Sequence, residues 1–357
     1  MSDSDHPRKI WDKIRGTPAR IPSRVNIARD HVDEGDELET AIQKDKHYFQ
    51  IRINEMYLAY ERQWFKKYDP MVLVISEFIY GREQVAIPSV VGPAMMKKFG
   101  QFMPKGGMVF SDTQVTGPHP YKGGSLNLTV VLCQLTVANY LQDFLRIVES
   151  TANILDFSKA FSTSLKLATV VLDGIETILG SQLTHPLIGL RKDYAVTLLE
   201  PGYFALVDID KNDLNEEKLW VRNRQLVHGE SLADATPFRK ADYVLYSVLP
   251  TLPPDRRGDI PVLPFYSHWT NVVEEASRPT PNDWKRAKEH MAILYRSMML
   301  SPDLVEDEAD TQFSLWQTEA EKKHKKAALM SDMGPSGVKT PSESDKIRKK
   351  MVEILEL

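Results

Sequence analysis

The residues best equipped for chemistry in this 357-residue chain gather at one turn, Gly117-Pro-His-Pro-Tyr-Lys-Gly-Gly124. It sets an imidazole (His119), a phenol (Tyr121) and an ammonium (Lys122) beside two glycines able to bend backbone around an anion. A phosphate loop needs its glycines before the lysine and a helix N-terminus after it, so that N–H groups and the helix dipole point at the phosphate. Here the glycines follow the lysine and open an alternating stretch, Leu126 to Leu135, that reads as a strand. The spacing therefore predicts a turn shaped by proline and glycine that binds no cofactor. His119, Tyr121 and Lys122 are instead expected on a surface for another protein. The rival expectation is a hydrolase-type enzyme with a dispersed site near 112–124, in which a histidine (His119, His185, His228 or His268) meets a carboxylate (Asp112 or Asp208) in space.

A second oxygen-rich run, Asp208-Ile-Asp210-Lys-Asn212-Asp213, starts like a calcium loop. The sixth position is Asp213 where the turn needs glycine, and the twelfth is Leu219 where a bidentate glutamate must close the shell. An acidic turn without metal is expected. The nine histidines are scattered singly, and the one cysteine, Cys133, falls inside the Leu126 strand. No zinc pattern can be assembled from these, and no intramolecular disulfide, which suits a reducing cytoplasm. Nucleophile-elbow, dinucleotide and kinase signatures are all missing from the sequence.

Composition gives these residues an ordinary soluble setting. Forty-five basic side chains face forty-nine acidic ones for a net charge of −4, which offers no electrostatic invitation to nucleic acid or anionic membrane. No window is long and apolar enough for a membrane span, and the leading residues carry no secretion signal.

The elements that must position the turn follow from periodicity. Residues 1–44 run from basic (Arg8 to Arg29) to acidic (Asp30 to Glu39) with three prolines, and are expected to form a flexible charged arm from which Trp11 could dock. From Tyr48 the pattern becomes extended. Met71 to Tyr80 is nearly continuous apolar, as for a strand buried on both faces, and Pro88 puts the next strand at an edge or bulge. In Leu126 to Cys133 the even residues form one apolar face and the odd ones the other. Helical spacing follows over 138–155 and 158–180, an αα-hairpin, then more strands between Tyr194 and Leu249.

Seven prolines mark 250–281 as an extended connector, and Thr280-Pro281-Asn282-Asp283 is a helix start. Ser301-Pro302-Asp303 opens another. The expected fold class is α+β. A mainly antiparallel β-sandwich-like body spans 45–250, with a central αα-hairpin near 138–180. The connector takes up 251–281, C-terminal helices occupy 282–330, and 331–357 is a flexible tail with a short helix. With no reactive signature, and with Trp11, Trp269 and Trp316 reading as exposed aromatics, the expected role is a non-catalytic cytoplasmic scaffold subunit that binds a partner protein. A regulatory role through cleavage or modification of the tail is the remaining alternative.

Overall fold

The computed structural model describes residues 5–15, 22–33, 35–59, 62–63, 66–80, 83–92, 108–136, 161–181, 184–194, 198–253 and 260–332. The chain forms helix α1 (Asp5–Arg15), then strands β1 (Ser23–Ile27), β2 (Ile42–Gln43), β3 (Tyr48–Leu58), β4 (Arg62–Gln63), β5 (Lys66–Tyr80), β6 (Glu83–Val91), β7 (Met108–Pro120) and β8 (Leu126–Thr136). Helix α2 (Phe161–Leu179) precedes β9 (Thr184–Tyr194), β10 (Leu198–Leu199), β11 (Gly202–Val207), β12 (Leu219–Arg222), β13 (Gln225–His228), β14 (Thr236–Pro237) and β15 (Tyr243–Thr251). Helices α3 (Tyr266–Ala276), α4 (Pro281–Met299) and α5 (Glu306–Asp332) complete it. The fold is α+β, with antiparallel sheets and a C-terminal helical region.

Two compact units emerge: residues 1–263 with 301–308, and residues 264–300 with 309–357. In the first unit, one five-stranded sheet runs β1-β11-β15-β3-β7. The other is built on β5, which pairs with β8 along one side and with β4 and β6 along the other, β9 continuing beyond β8. Their facing sides share one core that includes Ile51 and Ile53 of β3, Val72 and Val74 of β5, Leu128 and Val130 of β8, and Val244 and Tyr246 of β15. Each sheet also buries its other side. Met71, Leu73 and Ile75 of β5 meet Val131 and Cys133 of β8 beneath Ile10 and Ile14 of α1 and Leu172, Ile175 and Ile178 of α2. On the opposite sheet, Tyr203, Ala205, Tyr243 and Leu245 pack with Leu219, Val221 and Leu226 of the small β12-β13-β14 sheet and with Phe238 just after it. The first unit is thus layered helix, sheet, sheet, small sheet.

That layering explains why β5 reads as continuous apolar although every neighbour is antiparallel: both of its faces are covered. The alternation in β8 is real, even residues lying between the sheets and odd ones under the helices. Pro88 sits in β6, which among the described residues pairs with β5 alone, the edge position that the proline predicts. The later strands divide: β11 and β15 enter the first sheet, while β12 to β14 form their own. Asn223 and Arg224 turn between β12 and β13 with φ of 50° and 60°, the left-handed pair that a two-residue hairpin demands.

Several expectations need correction. The charged stretch before residue 45 is not a free arm: α1 buries Ile10 and Ile14, and β1 pairs with β11 from Ser23↔Val207 to Ile27↔Tyr203. Two isoleucines four residues apart suffice to seat one side of α1, at roughly 1.5–3 kcal/mol for each buried side chain. Within 251–281, Tyr266–Ala276 is helical, burying Trp269, Val272 and Ala276. Helix α5 starts at Glu306, five residues after Ser301, because residues 301–305 are held against other strands. The first helix of the expected hairpin, 138–155, and the tail beyond Asp332 lie outside the described residues. In α2, Val171 is buried while Val170 is 58% exposed.

In the second unit, α4 begins with a capping box: Thr280 Oγ1 accepts from the Asp283 N–H at 3.3 Å, and Asp283 accepts from the Thr280 N–H at 3.0 Å. Its core includes Val272 of α3, Met291, Leu294 and Met298 of α4, and Trp316 and Ala320 of α5. Among the described residues no helix is long and apolar enough to cross a membrane.

Candidate functional site

The outer side of the β5–β8–β9 sheet is not wholly covered. Gly189 of β9 lets α1 come close, since a Cβ there would stand 3.2 Å from Ile14 and 3.6 Å from the Trp11 ring. Lys13 fastens the helix to α2, its ammonium 3.1 Å from the Glu176 carboxylate and donating to the Glu176 carbonyl at 3.3 Å. Beside α1 a cleft of about 450 Å³ remains, lined by Arg8, Trp11, Asp12, Arg15, Glu77, Gln84, Asn127 and Arg191.

Its floor follows from strand register. Glu77 lies opposite Asn127, Asn127 opposite Asp193, and Thr129 opposite Arg191. The odd residues of β5 and β8 face this side, so the pattern that buries Ile75 and Val131 under the helices also turns Glu77 and Asn127 toward the cleft. Glu77 is only 5% exposed. Arg191 donates to Glu77 Oε2 at 3.1 Å and sits 2.9 Å from Oε1 as a charge contact without hydrogen-bond alignment. Burial raises the Glu77 carboxyl above the ordinary glutamate range, opposed by Arg191 and assisted by the Asp193 charge. Among the described residues, Glu77 Oε1, Asn127 Oδ1 and Thr129 Oγ1 are buried acceptors with no hydrogen-bond donor.

The glycine-proline turn is put to structural use. Gly117 has φ of +90°, and a Cβ there would collide with the Phe49 carbonyl, so only glycine fits where β7 bulges against β3. His119 is 3% exposed, its ring against Phe49 and Phe78, and Tyr121 is buried edge-on to Phe49. Lys122 donates to the Leu304 carbonyl at 2.6 Å and lies 3.3 Å from the Asp45 carboxylate. The Glu306 N–H donates to the Asp45 carbonyl at 2.8 Å, the Tyr80 hydroxyl to Asp303 Oδ1 at 2.9 Å, and the Tyr48 hydroxyl to the Asp303 carbonyl at 3.0 Å. The turn therefore holds the chain's own segment 301–308.

The other singled-out residues divide. Trp269 and Trp316, read from sequence as exposed, are buried and stacked on each other with ring centroids 4.8 Å apart. Of the residues expected on an interaction surface, Trp11 is the one that lines the cleft. The histidines considered for a dispersed site are not gathered: His119 is on β7, His185 on β9 of the other sheet, His228 on the small sheet and His268 on α3. Among the described residues no group of three or more His, Cys, Asp or Glu is arranged to hold a metal ion. At the acidic turn, Asp210 is occupied by accepting from the Asn212 N–H at 3.0 Å.

Glu77, Asn127 and Arg191 went unread in the sequence because they are 50 and 64 residues apart and meet only through strand pairing. The one available signal was a glutamate and an asparagine at odd positions of strands whose other odd residues are mostly apolar.

Comparison with known protein families, with curated proteins and with solved structures finds no match to this chain.

Proposed function

We propose that the chain is a non-catalytic binding component that docks another protein through its helical unit. One observation carries this reading. Of the ten large apolar side chains exposed among the described residues, six (Ile293, Tyr295, Leu300, Leu315, Leu329 and Met330) belong to the unit of α3, α4 and α5. Leu315 and Leu329, 61% and 65% exposed, are fourteen residues apart and share one side of α5, since that spacing is roughly four helical turns. Apolar groups left in water on a helical surface gain free energy when a partner covers them. The first unit, although larger, contributes only Ile79, Val170, Leu252 and Val262. The buried histidine and internally engaged lysine at the 117–124 turn favour a binding role over a hydrolase there. A reducing cytoplasm suits the single, buried Cys133.

The test is co-purification of the full chain and of the double substitution Leu315→Asp/Leu329→Asp from the same cells, followed by reconstitution from purified components. A protein that binds the wild-type chain directly, and the double variant at least about tenfold more weakly, is the expected result. Circular dichroism must show the helices intact. Equal recovery with both chains, or no direct complex on reconstitution, overturns the proposal.

A further inference from the structure

The cleft beside α1 is a separate feature from the helical surface just described, and its chemistry is more specific. We infer that it binds a small, flat anion carrying an N–H donor edge, the chemistry of a nucleoside monophosphate with an amino-bearing base.

Three parts of the cleft each set one requirement. The floor presents Glu77 Oε1, met by Arg191 as a charge contact without hydrogen-bond alignment, beside Asn127 Oδ1 across the β5–β8 pair, both atoms buried and without an aligned donor. Buried acceptors cost free energy until a donor reaches them, so the group that enters first must offer N–H or O–H. A phosphate or carboxylate at the floor would meet the Glu77 charge directly, and the anionic end is thereby directed outward. At the rim stand Arg8 and Arg15, seven residues apart on α1 and therefore on one side of it, both exposed. With Arg191 they give three guanidinium groups against the two carboxylates Asp12 and Glu77, and Arg191 already compensates Glu77. The rim thus offers a planar, bidentate donor surface suited to phosphate. Trp11, half-buried and between the two arginines along α1, lines the same cleft and offers a flat ring an aromatic partner. A volume of about 450 Å³ falls within the range of small-molecule sites. Buried acceptors, a half-buried aromatic ring and exposed cations in one cleft match an exocyclic amine, a heteroaromatic ring and a phosphate.

Isothermal titration of the full chain with adenosine, cytidine and uridine monophosphates and with inorganic phosphate tests this. Adenosine or cytidine monophosphate is expected to bind, and uridine monophosphate, whose base lacks the amine, and inorganic phosphate to bind about tenfold or more weakly. Arg8→Ala/Arg15→Ala should weaken the nucleotide about tenfold or more by removing the rim cations. Asn127→Leu should weaken adenosine monophosphate while leaving the weak binding of phosphate alone unchanged. Thermal melts of each variant check folding, and the arginine pair, being exposed, gives a readout that does not depend on the floor. The inference is overturned by no heat with any nucleotide, by phosphate binding as tightly as adenosine monophosphate, or by nucleotide binding that the folded arginine variant leaves unchanged. Loss of partner binding in the helical unit would leave all of these outcomes unaffected.

Discussion

Two glutamate–arginine pairs lie on the outer sides of the two large sheets, and they are built to opposite ends. Glu55 of β3 is fully enclosed. Its Oε1 lies 2.9 Å from Arg239, its Oε2 accepts the Leu226 N–H at 2.8 Å, and Arg239 stacks 4.8 Å above the Tyr57 ring while donating to Tyr243. Leu226 belongs to the small sheet, so this carboxylate is the polar rivet between that sheet and the one beneath. Glu77 of β5 has the same partner type at the same distance, 2.9 Å, but that contact on Oε1 lacks hydrogen-bond alignment, and beside it lies open cleft. A buried carboxylate with a hydrogen-bond donor on each oxygen is a strut; one with an oxygen lacking an aligned donor beside a cleft can accept from a ligand.

The sharpest way to break that contrast is Arg239→Ala, which leaves Glu55 charged and buried. It should destabilise the protein by about 3 kcal/mol or more in urea unfolding, because removing one partner of a buried pair strands the other. A loss near zero would mean the small sheet is held by its apolar contacts alone.

The two covers can be compared next. Ile14→Ala should cost about 2 kcal/mol or more through the cavity it leaves against the sheet. Cys133 reports on it, since its thiol lies fully buried under α1 and α2 and burial pushes its pKa far up. Labelling of Cys133 in the native state should be very slow in wild type, faster in Ile14→Ala, and unchanged by Leu226→Ala in the opposite layer. Faster labelling in Leu226→Ala would show that the layers open together.

Glu77→Gln should change stability by no more than about 1 kcal/mol, since Arg191 remains partly exposed and can turn to water. The smallest effect is its pH dependence. Because the folded carboxyl holds its proton more tightly than the unfolded one, Glu77 favours folding most at low pH, and this contribution fades as pH rises above the ordinary value of 4.5 through the raised one. Glutamine does not titrate, so it contributes no such dependence. The stability of Glu77→Gln relative to wild type should therefore be more favourable at about pH 7 than at about pH 4, measured by urea midpoints at both. A difference of opposite sign would place the folded carboxyl below its ordinary range.

Much of the scaffold was legible in the residues. The unbroken apolar run of β5, the alternation of β8 and the Thr280–Asp283 box each report a local environment directly: two buried faces, one boundary between layers, one helix end. The α1 docking was hidden because Ile10, Trp11 and Ile14 are few against the surrounding charge. In β1, Ser23, Val25 and Ile27 alternate with Arg24 and Asn26, a period-2 signal too short to outweigh the prolines around it. The cleft was illegible for a different reason. Register between distant strands decides which polar groups meet, and no single stretch of sequence encodes register.

The segment Ser301–Glu308 carries one more consequence. Because it returns to the sandwich between α4 and most of α5, the chain passes from one unit to the other three times, after residues 263, 300 and 308. A truncation placed after the last strand would not release an intact sandwich: it would strip Tyr80 of Asp303 and Lys122 of the Leu304 carbonyl. A fragment meant to keep the sandwich whole must therefore carry residues 301–308 as well as 1–263, which no single cut provides without α3 and α4.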